Sequence, residues 1–179
     1  MPAHDNLECI GIIGAGLMGH GIALQFAVGG YEVSLHDTTE ENLQRGLENI
    51  SSTLNILCNH GLVDEETAAA VPGRIRTSTS MPDAVGDAGL VVEAVFEDLE
   101  LKQRVFAELD CHCPPDTILT SNTSSYMTSQ LAPVTNRPDK VVVANWWNPP
   151  YLLPLVEVVR GPQTSDETIA ITLGVLESV

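Results

Sequence analysis

Short apolar runs alternate along the chain with stretches whose apolar residues recur every three or four positions. Cys9–Ile13 (CIGII) reads as a strand, followed by a glycine turn and a helix over Leu17–Val28. Residues 31–36 (YEVSLH) alternate as a second strand. The spacing of Leu43, Leu47, Ile50, Leu54 and Leu57 predicts an amphipathic helix over 40–58. A shorter helix is expected over 64–71, stopped by Pro72-Gly73, then a brief strand at 75–77 and a firmer one at 88–94. Helix over 98–109, strand at 117–120, a helical turn at 126–131 and strands at 140–144 and 155–159 follow. Ser165 opens a last helix, with Glu167 near its start and Ile169, Leu173 and Leu176 in register.

Near-continuous apolar strands separated by helices imply an α/β domain of Rossmann type. The expected sheet is doubly wound and mainly parallel, with helices on both faces. With 179 residues the chain has room for one such domain. The last helix reaches Val179 without a stop signal, so the chain is expected to end early relative to a larger protein.

Composition is that of an ordinary globular domain: 44% hydrophobic and 18% charged residues. Eight basic against 24 acidic side chains give a formal charge of −16. Such a charge repels nucleic-acid phosphates and anionic lipid, so neither partner is expected. An anionic cofactor is still admissible, because a helix N-terminus holds phosphate through backbone N–H groups. Residues 1–7 (MPAHDNL) contain no apolar run, and none elsewhere approaches a membrane span, which suggests a cytoplasmic protein with reduced thiols at Cys9, Cys58, Cys111 and Cys113. Cys111-His112-Cys113 has no second ligand pair at a zinc-like spacing, so no metal is expected there; a solvated turn running into Pro114-Pro115 is the simpler reading.

The chemistry begins at Gly14-Ala15-Gly16-Leu17-Met18-Gly19, between the first strand and the first helix. Such a motif is weak alone, but here a strand precedes it, a helix follows, and Asp37 closes the second strand 23 residues after Gly14. Gly14 permits a tight turn, Gly16 lets backbone approach a pyrophosphate, and Gly19 lets helix pack on strand. The pyrophosphate would rest on the helix start at Leu17 and Met18. Asp37 would accept hydrogen bonds from the adenosine ribose and repel a 2′-phosphate, and Thr38-Thr39-Glu40 supply no arginine for one, which favours NAD over NADP. Another nucleotide or a flavin is the alternative ligand.

Four ordered blocks carry a closer resemblance: GAGLMGHGIA (14–23), VVEAVFEDLELK (91–102), SNTSS (121–125) and NWWNPPYLLPLVEVV (145–159). Together they resemble the NAD-binding domain of the L-3-hydroxyacyl-CoA dehydrogenase family, which includes lambda-crystallin/L-gulonate 3-dehydrogenase and carnitine dehydrogenase branches. The resemblance spans nearly all of residues 7–179. It assigns Glu97 and Lys102 to the nicotinamide side of NAD, Ser124 to the substrate oxygen and the cofactor, and Asn148 to both substrate and nicotinamide. It also implies a C-terminal, mainly helical domain that completes the substrate cleft and makes a homodimer; none of it lies in residues 1–179.

Position 145 departs from the pattern. The family carries a histidine there that takes the hydroxyl proton, with a glutamate twelve residues later holding the other ring nitrogen. Glu157 is in place; its partner is Asn145. An amide hydrogen-bonds a carbonyl but gains no proton near neutral pH. Loss of a general base costs about 10²–10⁴ in rate. Asn145 is compatible with an engineered change, a natural member that has lost activity, or rescue by another base, for which His36 and His112 are poorly placed. The resemblance implies a 3-hydroxyacyl-CoA substrate or a small 3-hydroxy acid. Residues 38–61 hold only Arg45 as a fixed cation against Glu40, Glu41 and Glu48, which weakens the case for CoA.

Overall fold

The structure, a computed structural model, describes residue 7 and residues 9–179. Seven strands form one sheet: β1 (Cys9–Ile13), β2 (Glu32–His36), β3 (Ile75–Ser78), β4 (Leu90–Glu93), β5 (Ile118–Ser121), β6 (Val141–Trp146) and β7 (Val156–Val159). Their order is β3-β2-β1-β4-β5-β6-β7, with every pair parallel except β6 and β7. The helices are α1 (Leu17–Val28), α2 (Glu40–Asn59), α3 (Glu65–Arg74), α4 (Met81–Val85), α5 (Leu99–His112), α6 (Thr128–Leu131) and α7 (Asp166–Glu177).

Side chains on a strand alternate between faces, and here both faces are covered. Ile10, Ile12, Leu90 and Val92 join a core with Phe26, Leu43 and Leu54 of α1 and α2. Ile13, Val91 and Leu119 point the other way, into a core with Val85 of α4 and Phe106 and Leu109 of α5. The alternation is hidden in sequence because both sets are apolar. Helix starts follow a shared device: Thr39, Asp64, Asp98 and Ser165 each accept the backbone N–H three residues on.

Several boundaries differ from the sequence expectation. Helix α3 runs through Pro72-Gly73 to Arg74 instead of stopping before them. Val71 is fully buried and Arg74 donates to the Ala27 carbonyl at 2.7 Å, so tertiary contacts hold a last turn that a proline only loosens. Helix α4 is missing from the sequence expectation altogether, although Ser80 and Pro82 signal its start. Helix α5 extends to His112, so Cys111 and His112 sit exposed on its last turn and Cys113 caps it, buried. The helical turn expected at 126–131 is shorter, Thr128–Leu131. Most consequentially, β6 continues past Ala144 through Asn145 and Trp146, because β7 pairs with it antiparallel.

All four cysteines are free thiols. No helix among the described residues is long and apolar enough to cross a membrane. No group of three or more His, Cys, Asp or Glu side chains with metal-holding geometry occurs among them. Strand order reverses between β1 and β4: β2 and β3 lie to one side of β1, β4 to β7 to the other. The crevice at the carboxyl ends of the strands there is where such sheets take ligands.

Candidate active site

A cavity of about 1050 Å³ opens at that crevice. Gly14, with φ +103°, turns the chain from β1 towards α1, and a Cβ on it would sit 2.7 Å from the Ala94 carbonyl oxygen. On Gly19 a Cβ would come within 1.7 Å of the Gly14 carbonyl oxygen, so helix and turn meet only because that side chain is absent. A Cβ on Gly16 would meet nothing within 4 Å; it would project into the space that a ligand needs. Gly16 caps α1 without a side chain, and no acid lies in the first turn, which leaves the N–H groups and positive dipole end for an anion. Leu17 and Met18 line the cavity beside Gly14 and Gly16; Gly19 lies behind them. The turn fits a dinucleotide pyrophosphate.

Asp37, at the end of β2, is locked to this turn. Its Oδ2 accepts the Ala15 N–H at 2.8 Å, and its Oδ1 accepts the Thr38 N–H at 2.8 Å and Asn42 Nδ2 at 2.7 Å. Partial burial pushes its carboxyl up, but the Ala15, Asn42 and Thr38 hydrogen bonds outweigh this and hold it below the usual carboxylate range. Oδ1 is thus crowded with donors, while Oδ2 keeps room for a ribose hydroxyl.

Across the crevice, the ends of β4, β5 and β6 bring Glu97, Ser124 and Asn145 to the cavity wall. Burial raises the Glu97 carboxyl, but hydrogen bonding by Thr123 and the nearby Lys102 ammonium bring it below its ordinary value. Ser124 is exposed, and it caps nothing: Thr123 Oγ1 instead accepts the Ser125 and Tyr126 N–H groups at 3.2 Å. Lys102 is no surface residue. It is fully buried behind the wall, 2.7 Å from Glu93 and 3.2 Å from Glu97.

Asn145 and Glu157 are register partners on β6 and β7, and Asn145 Nδ2 donates to Glu157 Oε2 at 2.9 Å. The twelve-residue spacing is a hairpin that places the two side chains on one face. Glu157 is exposed, not buried as its apolar strand suggests, because β7 is a sheet edge with that face uncovered in this chain. Asn148 is exposed in the connector that follows β6 and lies outside the cavity wall. Trp146 packs edge-on against Phe26 in the core, whereas Trp147 is half exposed.

Several wall residues escape the motif reading. His20 lines the cavity from α1 with Nδ1 2.8 Å from the Gly16 carbonyl oxygen. Asn42 and Arg45 reach it from α2, Arg104 from α5, and Asn122 from the end of β5, where its Oδ1 accepts the Trp146 N–H at 2.9 Å. Only the helical period, which puts 42 and 45 one turn apart beside Asp37, could have pointed to the first pair.

A family profile described as 3-hydroxyacyl-CoA dehydrogenase, NAD binding domain, matches residues 9–179. The chain is 40% identical over 162 residues to the fatty acid oxidation complex subunit alpha of Pseudomonas syringae, covering 90% of this chain and 22% of that one. It is 38% identical over 174 residues to a Bacillus subtilis protein named a probable 3-hydroxybutyryl-CoA dehydrogenase, covering 97% of this chain and 60% of that one. The crystal structure of 3-hydroxybutyryl-CoA dehydrogenase from Escherichia coli superposes with a TM-score of 0.93 at 36% identity, covering 97% of this chain and 36% of the other. The chain therefore spans less than two thirds of each of these relatives.

Proposed function

The chain belongs to the 3-hydroxyacyl-CoA dehydrogenase family as its NAD-binding domain, and on that footing we propose that it serves NAD-linked oxidation of the 3-hydroxyl of a 3-hydroxyacyl-CoA, or the reverse reduction, with its proton-transfer step impaired by Asn145. When bound, NAD supplies the hydride acceptor. The residues that would hold it are Gly14, Gly16, Leu17 and Met18 at the pyrophosphate, Asp37 at the adenosine ribose, and Glu97 with Ser124 at the opposite end.

The observation that carries the reading is the Asn145–Glu157 hydrogen bond across β6 and β7. Oxidation of a secondary alcohol needs a group at the hydroxyl that takes its proton. Glu157 stands where it would orient such a group and stabilise it once charged, and Ser124 supplies a hydroxyl at the same wall. Asn145 orients a carbonyl or hydroxyl through its amide, but it carries no proton to or from the reaction. Binding and chemistry are thereby separated in this chain. A non-catalytic role as an NAD-binding module is the second reading, and Asn145 is the residue that favours it.

An acyl-CoA is proposed over a small 3-hydroxy acid because the relatives above are named for 3-hydroxybutyryl-CoA and fatty acid oxidation. Trp147, Leu152, Leu153, Leu155 and Val159 are all exposed around the β6–β7 connector. Apolar surface of that kind supports a covering partner, which we take to be the helical domain and, through it, the homodimer that the resemblance implies.

The test is oxidation of NADH by acetoacetyl-CoA with protein expressed from the complete reading frame, beside its Asn145→His variant. A gain of about 10²–10⁴ in kcat is expected, with NADH affinity unchanged. No gain on acyl-CoA or small 3-oxo acids, with NADH still bound, sinks the enzymatic reading.

A further inference from the structure

Glu157 has a partner that needs no orienting. A glutamate that fixes a base is idle once the base is an amide, yet this carboxylate stands at the site, exposed to solvent. Strand parity decides which way it points. Trp146 and its register partner Val156 join the α1 core, as does Val158. Val141 points into the opposite core, with Leu131 of α6. Asn145 follows Val141 at an even interval and Glu157 is its partner, so both lie on the α6 face, where Asn145 reaches the cavity wall.

The surroundings leave the carboxyl free to exchange protons. Asn145 Nδ2 holds Oε2 at 2.9 Å, and exposure leaves Oε1 open to water. Glu157 makes no ion pair among the described residues. On its own face β6 offers the uncharged Asn145, and α6 reads TSQL, without an ionisable group. Tyr151 and α7, with Asp166, Glu167 and Glu177, pack on the α1 side of the sheet, and Arg160 at the end of β7 pairs with Asp166. The amide is also smaller than an imidazole ring, by space on the order of one water molecule.

We propose that Glu157 is this chain's own proton donor and acceptor, working through one water seated beside the Asn145 amide. The proposal rests on the reading that the 3-oxygen of an acyl-CoA lies at Asn145. In reduction, hydride supplied by NADH adds to C3 and the carbonyl π pair moves onto oxygen. That oxygen takes a proton from the water, the water takes the proton of the Glu157 carboxyl, and solvent re-protonates the carboxylate. Oxidation runs the same path backwards, with the hydroxyl proton ending on Glu157. A carboxyl gives a proton only while it holds one, so reduction slows as pH rises. In a purely orienting role Glu157 would be silent beside an amide.

The test follows kcat for acetoacetyl-CoA reduction from about pH 5 to about pH 8, with protein from the complete reading frame. Glu157→Gln is the informative variant, because its amide oxygen still accepts from Asn145 Nδ2. The unaltered chain should be fastest at the acid end. Glu157→Gln should be slower there by roughly 10²-fold and lose the acid limb, with NADH affinity unchanged. Calorimetry gives a readout without NADH. Binding of acetoacetyl-CoA to the unaltered chain should take up protons at the acid end, seen as heats that differ between buffers of unlike ionisation enthalpy, and Glu157→Gln should take up none.

An acid limb that survives in Glu157→Gln, or equal proton uptake in both forms, overturns the proposal. Asn145→His tests the underlying reading separately. If it turns over acetoacetyl-CoA while the unaltered chain and Glu157→Gln are equally slow at every pH, the family reaction stands and the role of Glu157 falls. If no form turns over, the reaction itself is misassigned and the proposal falls with it.

Discussion

At position 145 the side chain has the shape and hydrogen bonding of its surroundings but not their acid–base chemistry. Asn145 meets Glu157 at 2.9 Å because register pairing puts them opposite each other, a relation that any residue at 145 inherits. Asn145→His should therefore find its carboxylate ready, and its kcat should show a new limb near the histidine range, about pH 6.5, that the parent lacks. A flat profile in both forms would show that Glu157 does not hold the ring. Asp37 is the second residue where charge decides. Asp37→Ala should weaken NADH by roughly tenfold and narrow the gap to NADPH, read as two dissociation constants. Unchanged affinity for both would move the adenosine away from β2.

At the scale of elements, the site is an assembly of strand ends and helix starts. The contact of α1 with the β1 turn depends on Gly19, where a Cβ would lie 1.7 Å from the Gly14 carbonyl oxygen. Gly19→Ala should push α1 off the turn, lowering Tm and abolishing NADH binding together; retention of both would show that the turn shifts freely. Helix α5 starts at Asp98, whose carboxylate accepts the Leu101 N–H at 2.8 Å. Loss of this cap in Asp98→Ala should cost about 1 kcal/mol in chemical denaturation. The hairpin of β6 and β7 shows how an element differs from its sequence pattern. Residues 140–144 read as a strand that ends before Asn145, yet pairing with β7 extends it by two residues and turns a loop position into a fixed one.

For the molecule as a whole, charge is the dominant global property. A net charge of −16 on 179 residues sets up self-repulsion that salt screens. Raising NaCl from about 10 to about 150 mM should raise Tm, as the Debye length drops from about 30 to about 8 Å. A fall would mean that the ion pairs outweigh the repulsion. Acid acts through particular carboxyls. Burial pushes Asp37, Glu97 and Asp110 up, but hydrogen bonds hold all three below their ordinary values; for Asp110 these come from the Asn136 N–H and Arg137. A depressed folded-state pKa gives stability that is complete above the unfolded value and lost as pH falls through the folded one. Glu93, raised by burial, works in the opposite sense. Asp64 and Asp87 are lowered too, by the Thr67 and Arg76 hydrogen bonds, so depressed carboxyls outnumber the raised one and unfolding free energy measured in urea should decline as pH drops below about 4.

What the sequence determines alone is whatever depends on local spacing and on few residues. The glycine turn, Asp37 closing β2, the alternation of strands and helices and the Asn145–Glu157 interval are all legible, because turn chemistry and periodicity act over short distances. Tertiary structure decides what depends on neighbours distant in the chain. Helix α3 passes Pro72 because Val71 and Arg74 are held by α1 and the core. Lys102 is buried because Glu93 and Glu97 converge on it, and the helical periodicity of α5 by itself does not tell its burial from that of a surface lysine. Glu157 is exposed because β7 is an edge with that face bare. In each case burial and charge compensation are properties of the assembled environment, so only the fold sets them.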